Sequence, residues 1–177
     1  MQSVINECKL EKNDVKLLSA TEKFEDNAAG NLQRNILKSF AQYYSEELSE
    51  KVIRGMDLNA EKCLSTGGNV ALGFRVGEDK RFYIDEEAAL IVRYIFESYA
   101  NGMTVKEITD NLNAQGCRTS KGAEFNKNSL RTLLQNKRYI GIYTYKGKEI
   151  PDGMPRIISD ELFYKVAEIL EKNRKAP

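Results

Sequence analysis

The side chains of this chain best suited to chemistry are cations and amides. Residues 115–148 carry eight basic groups: Arg118, Lys121, Lys127, Arg131, Lys137, Arg138, Lys146 and Lys148. They face only Glu124 within the stretch and Glu149 just beyond it. Asn126, Asn128, Ser129 and Thr132 are interleaved with them. Arginine pairs bidentately with guanine edges and asparagine with adenine edges, while lysine neutralises phosphate. A basic run alone also describes a solvated face. The order of elements around it therefore has to decide.

Other chemistries lack their residues. The chain has 177 residues and no His, which removes imidazole acid–base catalysis, the Ser-His-Asp triad and His-based metal sites. Its three Cys (Cys8, Cys63, Cys117) are scattered and form no CxxC pair, so no zinc site is expected. Asp85-Glu86-Glu87 reads as a helix start and not as a metal site. No catalytic residue, metal ligand or cofactor is assigned. An odd number of scattered cysteines fits a reducing, cytoplasmic setting. No run of about 18 apolar residues exists, and the N-terminus lacks a signal-peptide core. The net charge of +1 hides asymmetry. Residues 1–60 carry 8 basic and 10 acidic groups, and residues 61–150 carry 14 and 11.

The elements that must position these side chains follow from periodicity. Residues 2–12 read as the end of a helix, 15–19 as a strand and 20–30 as a loop. From Asn31, apolar residues recur every fourth position: Leu32, Ile36, Phe40, Tyr44, Leu48, Val52, Met56. That predicts one long helix over 31–57. Thr66-Gly67-Gly68-Asn69 is the linker expected after it. The expected division is 1–60, a linker over 61–70, and a second domain over 71–177. Ala71–Val76 and Arg81–Ile84 read as strands about a turn at 77–80. Asp85 caps a helix that Gly102 stops. Thr104-Val105-Lys106-Glu107 is a capping box that opens a second helix, ended at Gly116. Asn126 caps a third helix with Leu130, Leu133 and Leu134 inward. Tyr139–Tyr145 and Lys148–Ile150 read as strands, and a last helix opens at Ser159-Asp160-Glu161. Residues 172–177 read as a charged tail. Tyr83, Tyr94, Phe96 and Tyr99 are read as core. The fold class expected is mainly α with small β-hairpins (α+β).

Helix 104–115, loop, helix 126–136 and hairpin 139–150 follow the order of a winged helix-turn-helix. In such modules the second helix enters the major groove with its N-terminal side chains at base edges. Those side chains are Asn126, Lys127, Asn128, Ser129, Arg131 and Thr132. The wing brings Lys146 and Lys148 toward phosphates. The basic cluster and the helix-turn-helix order fall on the same residues, which predicts double-stranded DNA as partner. The loop over 117–125 is longer than the usual three or four residues of such a turn.

Residues 72–145 (Leu-Gly-Phe-Arg-Val, Tyr-Ile-Asp-Glu-Glu-Ala, Val-Arg-Tyr-Ile-Phe-Glu-Ser-Tyr, Gly-Met-Thr-Val-Lys-Glu-Ile, Asn-Lys-Arg-Tyr-Ile-Gly) resemble the recombinase domain of large serine recombinases. That family includes phage integrases and transposases of mobile elements. Residues 15–56 resemble the end of its resolvase-type catalytic domain, with the long C-terminal helix. The resemblance implies a long helix followed by a winged helix-turn-helix-like recombinase domain. It also implies a reaction in which a serine hydroxyl attacks a DNA phosphodiester and subunits of a tetramer exchange strands. The Tyr-x-Arg-x-Ser nucleophile motif is not in this sequence, so Ser3, Ser19, Ser39, Ser45 and Ser49 are not assigned as nucleophiles. The chain reads as a segment that begins late in the catalytic domain, inactive by itself. By resemblance, the long helix pairs with its counterpart in a dimer and ends over the minor groove. Ser49, Lys51 and Arg54 are the candidates there, with Gly67 and Gly68 in the linker. Family members often carry prolines after that Gly pair, where Asn69-Val70-Ala71 stands here.

Two other functions compete. A winged-helix transcription regulator with a helical dimerisation arm predicts an intact N-terminal domain. A protein-interaction module with a solvated basic face predicts no steep salt dependence of DNA affinity.

Overall fold

The computed structural model describes residues 9, 10, 12, 13, 15 and 27–175. The helix expected over 2–12 and the strand over 15–19 fall largely outside them. The chain divides into two compact units, Met1–Ile53 and Arg54–Pro177.

Helix α1 (Ala28–Glu61) is a single helix of 34 residues. At 1.5 Å per residue it is about 50 Å long. It begins three residues before the expected Asn31 because Asn27 caps it: the Gly30 N–H donates to Asn27 Oδ1 at 2.8 Å. Residues 28–30 are therefore helix and not loop. Its end carries no glycine. Cys63 takes the left-handed φ of 54° instead. The Cys63 N–H then donates to the Ala60 carbonyl and the Leu64 N–H to that of Asn59, at 3.0 and 2.8 Å. That is the Schellman pattern of helix ends. Within Met1–Ile53 the fourfold apolar repeat lies in solvent, with Leu32, Phe40, Tyr44 and Leu48 all more than half exposed. This stretch of the helix therefore lacks the usual source of helix stability, a buried apolar face.

The second unit is built on four helices and two hairpins. Strands β1 (Phe74–Val76) and β2 (Phe82–Ile84) pair antiparallel, with Arg75 opposite Tyr83. The strand begins at Phe74 and not at Ala71, because the left-handed Gly73 (φ 87°) precedes it. Helix α2 (Glu86–Ala100) starts at Asp85, whose carboxylate accepts from the Ala88 N–H. Helix α3 (Val105–Ala114) starts with the reciprocal capping box of Thr104 and Glu107. Both of Thr104's N–H and O–H donate to Glu107, which holds that carboxyl below its ordinary pKa. Helix α4 (Lys127–Leu134) starts at Asn126.

Residues 137–140, expected as the start of a strand, form a 3-10 turn. Asn136 caps it, and Gly141 leaves it at φ 87°. The strand pair is shorter: β3 (Tyr143–Tyr145) and β4 (Lys148–Ile150), with Tyr145 opposite Lys148. Tyr139 is thus a core residue of the turn and shares no strand with Tyr143 and Tyr145. Helix α5 (Asp160–Lys175) runs through most of the stretch read as a tail.

One core joins these pieces. Val92, Ile95 and Phe96 of α2, Ile108 of α3, Leu130 and Leu134 of α4 and Val166 of α5 are fully buried. The Tyr139 ring stacks on Phe74 and meets Phe96 edge-on, each at 5.8 Å. Tyr99 is buried as expected. Tyr83 is not: it is 40% exposed on the hairpin, where its hydroxyl donates to Asp79 at 2.8 Å.

Candidate nucleic-acid interface

α3 packs against α4 across the turn, and the β3–β4 hairpin follows them in the order of a helix-turn-helix with a wing. Burial of Leu130, Leu133 and Leu134 fixes which way α4 faces. Lys127, Asn128, Arg131 and Thr132 are consequently exposed on its outer side.

The six α4 candidates are not equivalent. Asn126 Oδ1 accepts from the Asn128 and Ser129 N–H groups at 3.0 and 2.9 Å. Ser129 Oγ accepts from the Asn126 N–H and donates to the Asn126 carbonyl. Thr132 Oγ1 donates back to the Asn128 carbonyl at 2.9 Å. Those oxygens serve the helix itself. Lys127, Asn128 and Arg131 have side chains with no hydrogen bond or ion pair in the described structure. Their side chains are wholly free to meet a ligand, whereas Asn126 keeps only its NH2.

The long turn is ordered by a clamp. Asn113 of α3 donates to the Phe125 carbonyl and accepts from the Phe125 N–H, both at 2.9 Å. Phe125 is buried beneath it. Between these anchors, Thr119 and Ala123 close a small loop through the Thr119 N–H and hydroxyl, with Gly122 at φ 75°. Lys121 sits exposed at the tip. The nine residues thus work as a short turn plus a protruding finger. Asn113→Ala leaves both Phe125 backbone groups without these partners and is expected to cost about 1–2 kcal/mol of stability, measured by denaturant unfolding.

The wing turns through Lys146 (φ 46°) and Gly147 (φ 81°), the primed geometry that matches strand twist. Its tip is tied down. Asp57, in the last turns of α1, accepts from Lys146 Nζ at 2.7 Å and from the Tyr145 hydroxyl at 2.9 Å. The Lys146 hydrogen bond, then that of Tyr145, holds the Asp57 carboxyl below its ordinary pKa, and Asp57 raises that of Lys146. Lys137 is likewise paired with Glu149 at 2.8 Å. Arg138 braces the hairpin through Thr144 Oγ1 and carbonyl, both at 3.2 Å. Arg118 lies 3.7 Å from Glu124. Of the eight basic groups, Lys121, Lys127, Arg131 and Lys148 therefore have no ion pair or hydrogen bond here.

On α1, Lys51 pairs with Glu47 at 2.7 Å, whereas Ser49 and Arg54 are exposed. Gly67 and Gly68 are exposed with φ of 90° and 84°, so their backbone path needs glycine. The residues before them are held. The Ser65 N–H donates to the Lys80 carbonyl, and the Tyr143 hydroxyl donates to that of Leu64. Sequence reasoning missed Asp57, Asn113 and these ties, because their partners lie 12 to 89 residues away.

This arrangement is a winged helix-turn-helix module with a finger in its turn and free polar groups on its second helix. Residues 86–173 match the family model Recombinase. The crystal structure of an LSR–DNA complex is similar at 26% identity and a TM-score of 0.59, over 72% of this chain and 39% of that one. A structure concerned with the sequence requirements of the Listeria innocua prophage attP site is similar at 26% identity and 0.58, over 72% and 54%. No curated protein matches. Residues 86–173 therefore form a Recombinase domain of the serine recombinase family. The chain spans 39% and 54% of the length of those two relatives.

Proposed function

We propose that this chain binds duplex DNA as the site-reading part of a large serine recombinase. The observation that carries this reading is the free trio Lys127, Asn128 and Arg131 on the outer side of the second helix of a helix-turn-helix. α4 enters the major groove, where Asn128 and Arg131 meet base edges and Lys127 meets phosphate. Lys121 and Lys148 add phosphate contacts on either side. Ser49, Lys51, Arg54, Gly67 and Gly68 serve the minor groove where α1 ends. In the whole recombinase, a serine nucleophile cuts the phosphodiester and a tetramer rejoins strands. The apolar repeat of α1 supports pairing between subunits in that assembly. A cytoplasmic location fits these roles, and no helix among the described residues is long and apolar enough to cross a membrane.

Lys146 differs from Lys148 in being paired, with Asp57. A phosphate that takes Lys146 must displace the Asp57 carboxylate, so one anion replaces another. Asp57→Asn is therefore expected to tighten binding several-fold on every duplex, since it removes an anion beside the wing. Fluorescence anisotropy at low salt reads this. Unchanged affinity in Asp57→Asn would place Lys146 outside the interface. The DNA reading itself is tested by binding to random duplex at two salt concentrations. A winged-helix module that binds nucleic acid loses affinity steeply with salt.

A further inference from the structure

A groove of about 390 Å³ runs along one flank of α4, between that helix, the finger over 117–125 and Leu72. Leu72, Phe125 and Leu133 give it an apolar wall. Tyr139 forms part of its floor and is 1% exposed. The Tyr139 ring is held by Phe74 and Phe96, yet its hydroxyl has no hydrogen-bond partner in the protein. No fully enclosed side-chain polar atom among the described residues lacks a partner, so this oxygen keeps a small solvent contact, and Tyr139 lines the groove. Burial raises the Tyr139 pKa above its ordinary value, which keeps the phenol protonated and a donor.

The rim has the same polarity. Asn126 Oδ1 and Asn136 Oδ1 already accept from backbone N–H groups, of Asn128, Ser129 and Arg138. Each amide therefore keeps its NH2 for a ligand. Lys121 adds an unpaired ammonium. Glu124 also lines the groove, but it faces Arg118 at 3.7 Å. What remains is a set of donors beside an apolar wall. That set fits an anionic, acceptor-only group attached to a ring with an apolar C–H face.

We propose that this groove seats one phosphodiester of a DNA strand, its oxygens held by Tyr139, Asn126, Asn136 and Lys121 and its deoxyribose against Leu72 and Leu133. The proposal rests on the DNA reading above and adds a backbone subsite beside the base-reading side of α4. It fixes the register of that helix without reading sequence.

The test uses the full chain and a random-sequence duplex. Tyr139→Phe keeps the packed ring and removes the donor. It is expected to retain the wild-type Tm and to bind about ten-fold more weakly, the size of a lost hydrogen bond to a charged acceptor. Asn136→Asp keeps the oxygen that caps the 3-10 turn and replaces the donor NH2 by an anionic oxygen. It is expected to weaken binding at least as much. A duplex with neutral methylphosphonates is expected to abolish the difference between wild type and both variants. If wild type binds with steep salt dependence while both variants bind equally well, the subsite is overturned and the DNA reading stands. If wild type binds no duplex, the DNA reading fails first and the subsite with it.

Discussion

Arg131→Ala is expected to weaken binding to the tightest duplex selected from a randomised library by about 1–3 kcal/mol, which is roughly 5- to 150-fold. The reason is local. Arg131 is exposed on α4, and its guanidinium has no carboxylate or carbonyl to give up before it meets a base. Its neighbours Leu130 and Leu134 are buried, so the helix cannot rotate to hide it. On random duplex the same variant is expected to lose much less. Lys127→Ala is the control with the opposite signature. It should weaken both duplexes alike and lower the salt slope by about one. Equal losses on both duplexes for Arg131→Ala would make Arg131 a phosphate contact and move base reading to Asn128.

The largest effect on stability is expected at Leu134. Its side chain is fully buried where α4 enters the common core. Leu134→Ala removes three carbons from a tightly packed site and is expected to cost about 2–5 kcal/mol. Folded domains have only about 5–15 kcal/mol of total stability. The melting temperature should therefore fall by on the order of 10 °C or more. DNA affinity should drop as well, because the same helix carries Arg131. Leu90→Ala separates burial from composition. Leu90 is 62% exposed on α2, and its loss should stay within about 0.5 kcal/mol. A Leu134→Ala protein with the wild-type unfolding midpoint would contradict the position of α4 in the core.

The helices were legible because their ends carry chemistry that acts locally. Asp85, Thr104 and Asn126 cap the helices that follow them, and Gly102 and Gly116 close two of them in the left-handed conformation. Cys63 shows where that logic stops. It takes the role of a C-terminal glycine although its type gives no such signal. Tyr139 shows a second limit. Alternating aromatics at 139, 143 and 145 look like one strand, but Asn136 and Gly141 bracket a 3-10 turn that puts Tyr139 in the core.

For the interface, the sequence indicated which residues are basic but not which are free. Lys137, Arg138 and Lys146 are engaged by Glu149, Thr144 and Asp57, contacts set by tertiary structure. Asn126 and Ser129 are engaged by their own helix terminus. Within the cluster, Lys121, Lys127, Asn128, Arg131 and Lys148 keep side chains without a hydrogen bond or ion pair. The long turn also becomes intelligible. Nine residues fit because the Asn113–Phe125 clamp shortens the turn and leaves a finger outside it.

The most direct measurement is a titration of the full chain with two duplexes, one carrying the flanking sequence of the parent element and one random, at two salt concentrations. The account predicts tighter binding to the flank and affinities for both that fall steeply with salt. Absence of binding to either duplex would contradict it and leave the exposed cations as a solvated face.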